Sequence, residues 1–198
     1  MSRLVIGVLG LQGAVTEHIN QVETSGCNGV IVKKPEQLKE IDGLILPGGE
    51  STTMRKLIER YGFFEPLKQF SKQRKPLFGT CAGMVLVAKE LSASSEAHLQ
   101  LMDVRVKRNA FGRQKESFEA VLPIKGLDLP FSAVFIRAPY IEKAAQHVEI
   151  ISTYENHIVA AKQDHILVTA FHPELTNDTR MIEIFIDMVK KSKNTVAL

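Results

Sequence analysis

Three times in the first eighty residues, a short apolar run ends at a glycine turn and gives way to a helix-period pattern. Residues 4–9 read as a strand that meets Gly10-Leu11-Gln12-Gly13, after which Val15, Ile19 and Val22 fall on one helical face that ends near Gly26. Residues 44–46 form a second such run, followed by Pro47-Gly48-Gly49 and a helix over 52–61. Residues 77–78 form a third, leading through Gly79-Thr80-Cys81-Ala82-Gly83 into an apolar helical pattern at 84–88. A further strand is read at 30–32, a helical turn after Pro35 and a helix at 64–72. Strand and helix in alternation imply a mostly parallel sheet covered by helices on both faces. In such sheets, active sites lie beyond the carboxyl ends of the strands. The second half changes character: short strands are read at 102–107, 118–122, 133–136, 148–154, 158–161 and 166–171, with a hairpin turn at Asn156. A final helix is expected over 179–191, capped by Asp178.

Cys81 lies where the third run turns into its helix. A nucleophile flanked by glycines at a strand-to-helix turn has the architecture of a nucleophile elbow. The turn strains the central residue, and side chains two positions either side would clash. The helix N-terminus beneath the sulfur favours the thiolate, its reactive form. A nucleophile needs a base, and the base an orienting partner. Phe171-His172-Pro173-Glu174 offers both: in extended chain His172 and Glu174 share a face, so one imidazole nitrogen can meet the carboxylate and the other Cys81. Pro173 keeps the residue before it extended. Leu46-Pro47-Gly48-Gly49-Glu50-Ser51-Thr52-Thr53 supplies a third element. Its bare glycine amides can approach a reacting carbonyl closely enough for an oxyanion hole, and Ser51 or Thr52 can cap the following helix. The Gly-Lys-Ser/Thr ending of a phosphate loop is missing.

With 198 residues, 44% hydrophobic and 24% charged, the chain can bury a full core as one domain spanning 1–198. A net charge of +3 gives no argument for nucleic acid. No apolar run reaches membrane-spanning length, and residues 4–11 lack a signal-peptide cleavage pattern. Cys27 and Cys81 stand apart without metal-ligand spacing, which suits a reducing, cytoplasmic compartment. Cys27 reads as a structural residue.

These residues together resemble a class I glutamine amidotransferase, and within that family the glutaminase subunits of bacterial pyridoxal 5'-phosphate synthases. The likeness runs over essentially the whole chain. Its carriers are Gly7-Val8-Leu9-Gly10-Leu11-Gln12-Gly13-Ala14, the Leu46 to Thr53 segment, Gly79-Thr80-Cys81-Ala82-Gly83, Arg108-Asn109-Ala110-Phe111-Gly112-Arg113-Gln114, Phe135-Ile136-Arg137-Ala138-Pro139 and Phe171-His172-Pro173-Glu174. Gln100 departs from the pattern, standing where relatives are expected to have glycine. The resemblance implies a three-layer, flavodoxin-like α/β fold with a mostly parallel central sheet and extra antiparallel strands in the second half. It implies a Cys81-His172-Glu174 triad that hydrolyses L-glutamine to L-glutamate and ammonia through a thioester, with no cofactor and no metal. Ammonia then passes through a channel to a TIM-barrel synthase subunit in a hetero-oligomer. Gly49, Glu50, Ser51, Arg108, Ile136 and Arg137 are implied glutamine contacts, and the Gly49 and Ala82 N-H groups an implied oxyanion hole. The chemistry agrees in part: Arg108 or Arg137 could grip the α-carboxylate, and Glu50 the α-ammonium. Rival readings are another cysteine-elbow hydrolase of similar fold, the amidotransferase subunit of a different synthase, and a non-catalytic binding or regulatory module.

Overall fold

A computed structural model describes residues 3–92, 97–111 and 116–196. Residues 112–114 of the Arg108 segment and 93–96 of the polar stretch before Gln100 lie outside that range. In chain order the elements are β1 (Val5–Leu9), α1 (Val15–Thr24), β2 (Asn28–Val32), β3 (Gly43–Leu46), α2 (Ser51–Arg60), α3 (Phe64–Lys72), β4 (Leu77–Thr80), α4 (Ala82–Val87), β5 (Ala88–Leu91) and β6 (Met102–Lys107). They continue with β7 (Ser117–Leu122), β8 (Phe131–Ile136), β9 (Tyr140–Ala144), β10 (Glu149–Tyr154), β11 (His157–Gln163), β12 (Ile166–Thr169) and α5 (Arg180–Val196). Single 3-10 turns cover Pro35–Lys39 and Pro173–Leu175.

One sheet has the order β2-β1-β3-β4-β12-β11-β9-β6-β5, with β10 paired to β11. From β2 through β12 every pairing is parallel; beyond β12 the β12–β11, β11–β9, β9–β6 and β10–β11 pairings are antiparallel, and the β6–β5 pairing at the edge is parallel again. The register defines the two faces. Gly29 and Gly43 both pair with Ile6 and share its face; a Cβ on Gly29 would meet Ile19 of α1, and one on Gly43 would meet Val189 and Phe185 of α5. Phe78 pairs with Ile45 on that same face and packs its ring on Phe185 at 5.5 Å. Gly79 points to the opposite face, against Gly83 of α4. The expected double covering is therefore present. The central parallel strands β3, β4 and β12 are buried on both sides, which is why they are apolar or small throughout.

β7 and β8 form a separate two-stranded sheet. Aromatic packing fixes it to the main body: Phe118 stacks on Phe135 at 4.6 Å, Phe135 meets Phe171 edge-on at 5.6 Å, and Phe111 sits against both Phe118 and Phe135. Arg180 adds a clamp, donating to the Leu129 and Pro130 carbonyls while its own carboxylate partner is Asp178. Asp178 also accepts the Arg180 N-H at 3.1 Å, the expected cap of α5.

Several element boundaries depart from the sequence reading. The helical pattern at 84–88 ends at Val87, and Ala88-Lys89-Glu90-Leu91 is strand β5, paired in parallel with β6. Those residues favour helix intrinsically, but a vacant sheet edge outweighs a preference of a few tenths of a kcal/mol each. Strand β9 was not legible either, being short and opened by Pro139. The strand expected over 166–171 stops at Thr169, although the Ala170 N-H still donates to Val159. At the Glu155-Asn156 turn both residues have positive φ, +47° and +64°, as a two-residue hairpin between right-twisted strands requires.

Candidate active site

Cys81 directly follows β4 and precedes the first residue of α4, with φ +49° and ψ −102°. That region is one that L-residues rarely enter, and the surroundings impose it. The Cys81 N-H is held by the Thr169 carbonyl at 2.8 Å, and its own carbonyl accepts from Met84 and Val85 at the start of α4. The two flanking glycines allow this packing. A Cβ on Gly79 would lie 2.7 Å from the Gly83 carbonyl carbon, and one on Gly83 would collide with the Leu46 carbonyl oxygen.

His172 follows β12, beside β4 in the sheet. Its N-H donates to the Val134 carbonyl of the β7–β8 hairpin at 2.8 Å. Its Nδ1 lies 2.7 Å from Glu174 Oε1. A carboxylate only accepts, so Nδ1 carries the proton and Nε2 is left for the sulfur. Cys81 and His172 line the same cleft, close enough for the sulfur to raise the proton affinity of the ring. The route to this geometry differs from the extended chain expected. His172 has φ −107° and ψ 84°, and Pro173–Leu175 is a 3-10 turn closed by the Leu175 N-H on the His172 carbonyl. That turn, not a strand face, folds the carboxylate back beneath the ring. Burial alone lowers the His172 pKa, but its hydrogen bonds to Cys81 and Glu174, and their negative charge, outweigh it and push it up to about 10. Glu174 is held below the ordinary carboxylate value: burial opposes this, and the His172 hydrogen bond and the nearby His18 drive it.

Gly48 sits over the pair. A Cβ there would come within 2.8 Å of His172 Nδ1 and 3.5 Å of Cys81 Cβ. The Gly48 carbonyl accepts the Ala14 N-H at 3.0 Å, so the trans peptide turns the Gly49 N-H to the other side. Gln12 Oε1 accepts the Glu50 N-H at 3.0 Å and braces the same turn. The cap of α2 is Glu50 rather than Ser51 or Thr52. Its carboxylate accepts from the Thr52 and Thr53 amides at 3.0 and 2.8 Å, because a side chain one residue earlier reaches the exposed donors of the first turn. Despite some burial, those bonds lower its pKa to about 2.

One cleft of about 310 Å³ is lined by Gly49, Glu50, Ser51, Cys81, Ala82, Arg108, Ile136, Arg137 and His172. The structure thus brings together every sequence-predicted site residue except Glu174, which stands behind His172. Arg108 reaches Glu50 Oε1 at 3.4 Å. Arg137, at φ +44°, is mostly exposed and lies 3.8 Å from Glu116. The Ile136 carbonyl is 3.9 Å from Cys81 Sγ. Val85, Asn109 and Pro139 also line the cleft and were missed. Asn109 has φ +46°, a conformation that Asn tolerates better than most residues, and its place beside Arg108 was the available signal. Among the described residues no cluster of three or more His, Cys, Asp or Glu side chains could hold a metal, and no helix is long and apolar enough to cross a membrane.

Residues 8–191 match the SNO glutamine amidotransferase family. The chain is 57% identical over 195 residues to a pyridoxal 5'-phosphate synthase subunit PdxT of Bacillus velezensis, covering 98% of this chain and all of that protein. It is 60% identical over 188 residues to the protein of the same description from Bacillus cereus, covering 95% and 96% of the two chains. A solved structure described as a glutamine amidotransferase superposes with a TM-score of 0.89 at 39% identity, over 93% of this chain and 98% of that one. With a cysteine elbow, an imidazole against it and near-complete coverage of these relatives, the chain belongs to the SNO glutamine amidotransferase family.

Proposed function

We propose that this chain, acting over 1–198 as a single glutaminase domain, hydrolyses L-glutamine to L-glutamate and ammonia and passes the ammonia to a TIM-barrel synthase subunit that makes pyridoxal 5'-phosphate. The observation that carries the reading is a cleft whose size suits one free amino acid, with Cys81 and His172 in its wall and Glu174 hydrogen-bonded to His172 from behind. Glutamine enters with its α-carboxylate toward Arg108 and its α-ammonium toward Glu50. The adjacency of those two opposite charges matches a zwitterion. Arg137, further out and exposed, closes the mouth.

His172 Nε2 takes the Cys81 thiol proton as the sulfur attacks the side-chain amide carbon, and the carbonyl oxygen becomes an oxyanion facing the Gly49 and Ala82 N-H groups. The C–N bond breaks as His172 Nε2 delivers its proton to the departing nitrogen, giving ammonia and a γ-glutamyl thioester. His172 then takes a proton from water, whose oxygen attacks the thioester. Collapse breaks the C–S bond and releases glutamate, and the proton that His172 took from water returns to the sulfur. Glu174 holds Nδ1–H throughout, fixing the tautomer and stabilising the imidazolium. Glutamine turnover is slow until the synthase subunit docks, through rearrangement of the Gly48-Gly49 peptide. The two cysteines are free, in keeping with a reducing cytoplasmic setting.

The test is glutamate release by the chain with and without the synthase subunit, together with labelling by the glutamine analogue diazo-oxonorleucine. Cys81 should carry the adduct, and Cys81→Ala should lower turnover by at least about 10⁴-fold. An active Cys81→Ala, or an adduct elsewhere, ends the triad assignment. Equal rates with and without the partner end the gating claim alone.

A further inference from the structure

Behind the candidate triad lies a second buried imidazole that glutamine hydrolysis, as just described, does not use. His18, midway along α1, is wholly shielded from solvent. Its Nε2 stands 3.0 Å from Thr80 Oγ1 and 3.5 Å from Glu174 Oε2. Its Nδ1 is buried without a hydrogen-bond partner, and Glu174 Oε2 makes no conventional hydrogen bond of its own. A bare Nε2 turned toward a carboxylate would set lone pair against lone pair, so the ring proton sits on Nε2, between the hydroxyl and the carboxylate. Burial lowers the pKa of this ring, which keeps it neutral at neutral pH. One turn further along α1, Gln21 Nε2 donates to the Pro173 and Thr176 carbonyls at 2.8 and 3.0 Å. The helix thus holds the turn that carries Glu174 by its backbone and sets the His18 ring beside the outer carboxylate oxygen.

We propose that His18 is a positioning residue for glutamine hydrolysis, its Nε2–H fixing the outer oxygen of Glu174 and the Thr80 hydroxyl so that the inner oxygen stays aimed at His172. The inference rests on the glutaminase reading above. Its necessity follows from the carboxylate's own freedom: the last torsion of a glutamate is broad and two-fold, and one hydrogen bond to His172 does not by itself fix the plane. Thr80 is the residue before the nucleophile. A single imidazole therefore ties the support of the sulfur to the support of the base.

The experiment uses the full chain assembled with the synthase subunit and compares His18→Leu, which is apolar, with His18→Gln, whose amide N-H falls near the place of Nε2. His18→Leu should lower kcat roughly 10- to 100-fold, the scale seen when outer partners of functional groups are removed. KM should stay within about twofold, since nothing that binds ground-state glutamine has changed. The acid limb of its kcat/KM profile should move to higher pH, because the ionised Glu174 carboxylate loses the Nε2–H dipole that faces its outer oxygen. The titratable groups facing His18 are Glu174 and His172 from the sheet end and Glu17 on its own helix, all unaltered in the variant. His18→Gln should recover most of kcat and the original profile. Parent kcat and profile in His18→Leu, or no recovery in His18→Gln at equal melting temperature, overturns the proposal. Should His18→Leu not fold, His18→Asn replaces it: its amide is too short to reach, and its kinetics should match those expected of His18→Leu. A parent complex that releases no glutamate fails the glutaminase reading and His18 with it; an active parent confines the question to His18.

Discussion

Glu174 accepts from one imidazole at 2.7 Å while a second lies 3.5 Å from its other oxygen. Replacing it with Gln keeps the shape but lets the amide present a donor to His172, which invites the wrong tautomer. Glu174→Gln should therefore lower kcat by about 10²- to 10⁴-fold with KM little changed, as measured by glutamate release; a loss under tenfold would remove Glu174 from the relay. Cys81, His172 and Glu174 could be read from the sequence because chemistry demands those types in short motifs: glycines around the nucleophile, a proline between base and orienter. His18 could not. Its neighbour Thr80 is 62 positions away, and on α1 it shares a face with Val22, where a lone histidine looks like packing. Gln100 was noticed as a departure from an expected glycine, and the structure gives it φ +55°. That left-handed backbone is the kind glycine enters most easily, held here under a side chain.

The elbow works only because β4 and α4 touch. Gly83 lies against the Leu46 carbonyl and Gly79 against Gly83, so neither neighbour can yield by swinging a side chain. Gly83→Ala should cost at least about 2 kcal/mol, seen as a lower urea midpoint at unchanged slope. A variant as stable as the parent would mean that α4 slides freely on β3. At this scale the sequence served well wherever a strand is mostly apolar and has a glycine within two residues of its end, as β1, β3 and β4 do. It failed at β5 and β9. Those strands exist because β6 offers two edges, a demand made by partners distant in sequence and invisible in the residues themselves.

For the whole molecule, four histidines set how stability follows pH. His18, His98 and His165 have pKa values lowered chiefly by burial, that of His98 to about 4. The unfolded chain binds protons on them first, so their contribution is intact above about 6.5 and is lost as pH falls. His172 is the reverse: raised to about 10, it adds stability below 6.5 that disappears as pH climbs toward 10. Stability should peak near pH 6.5 and fall on both sides. His98→Leu should flatten the acid side by on the order of 2 kcal/mol between pH 6.5 and 4, since its side chain is 4% exposed and neither ring nitrogen makes a conventional hydrogen bond, the Glu59 carboxylate lying 3.6 Å from Nε2. Urea midpoints across pH check both, and a curve rising steadily to pH 10 would contradict the His172 assignment. The parallel half and its covering helices were legible as a period of glycine-ended runs; the detached β7–β8 hairpin, which anchors the His172 backbone, was legible only as two more strands. The forced twist at Cys81, φ +49° and ψ −102°, has one last consequence. Cys81→Gly should relax a conformation worth about 1–3 kcal/mol and melt no lower than the parent, although a buried thiol is gone. Heat resistance alone, used as the filter on a random library, would thus discard the chemistry first, at the very position where the chain is least comfortable being itself.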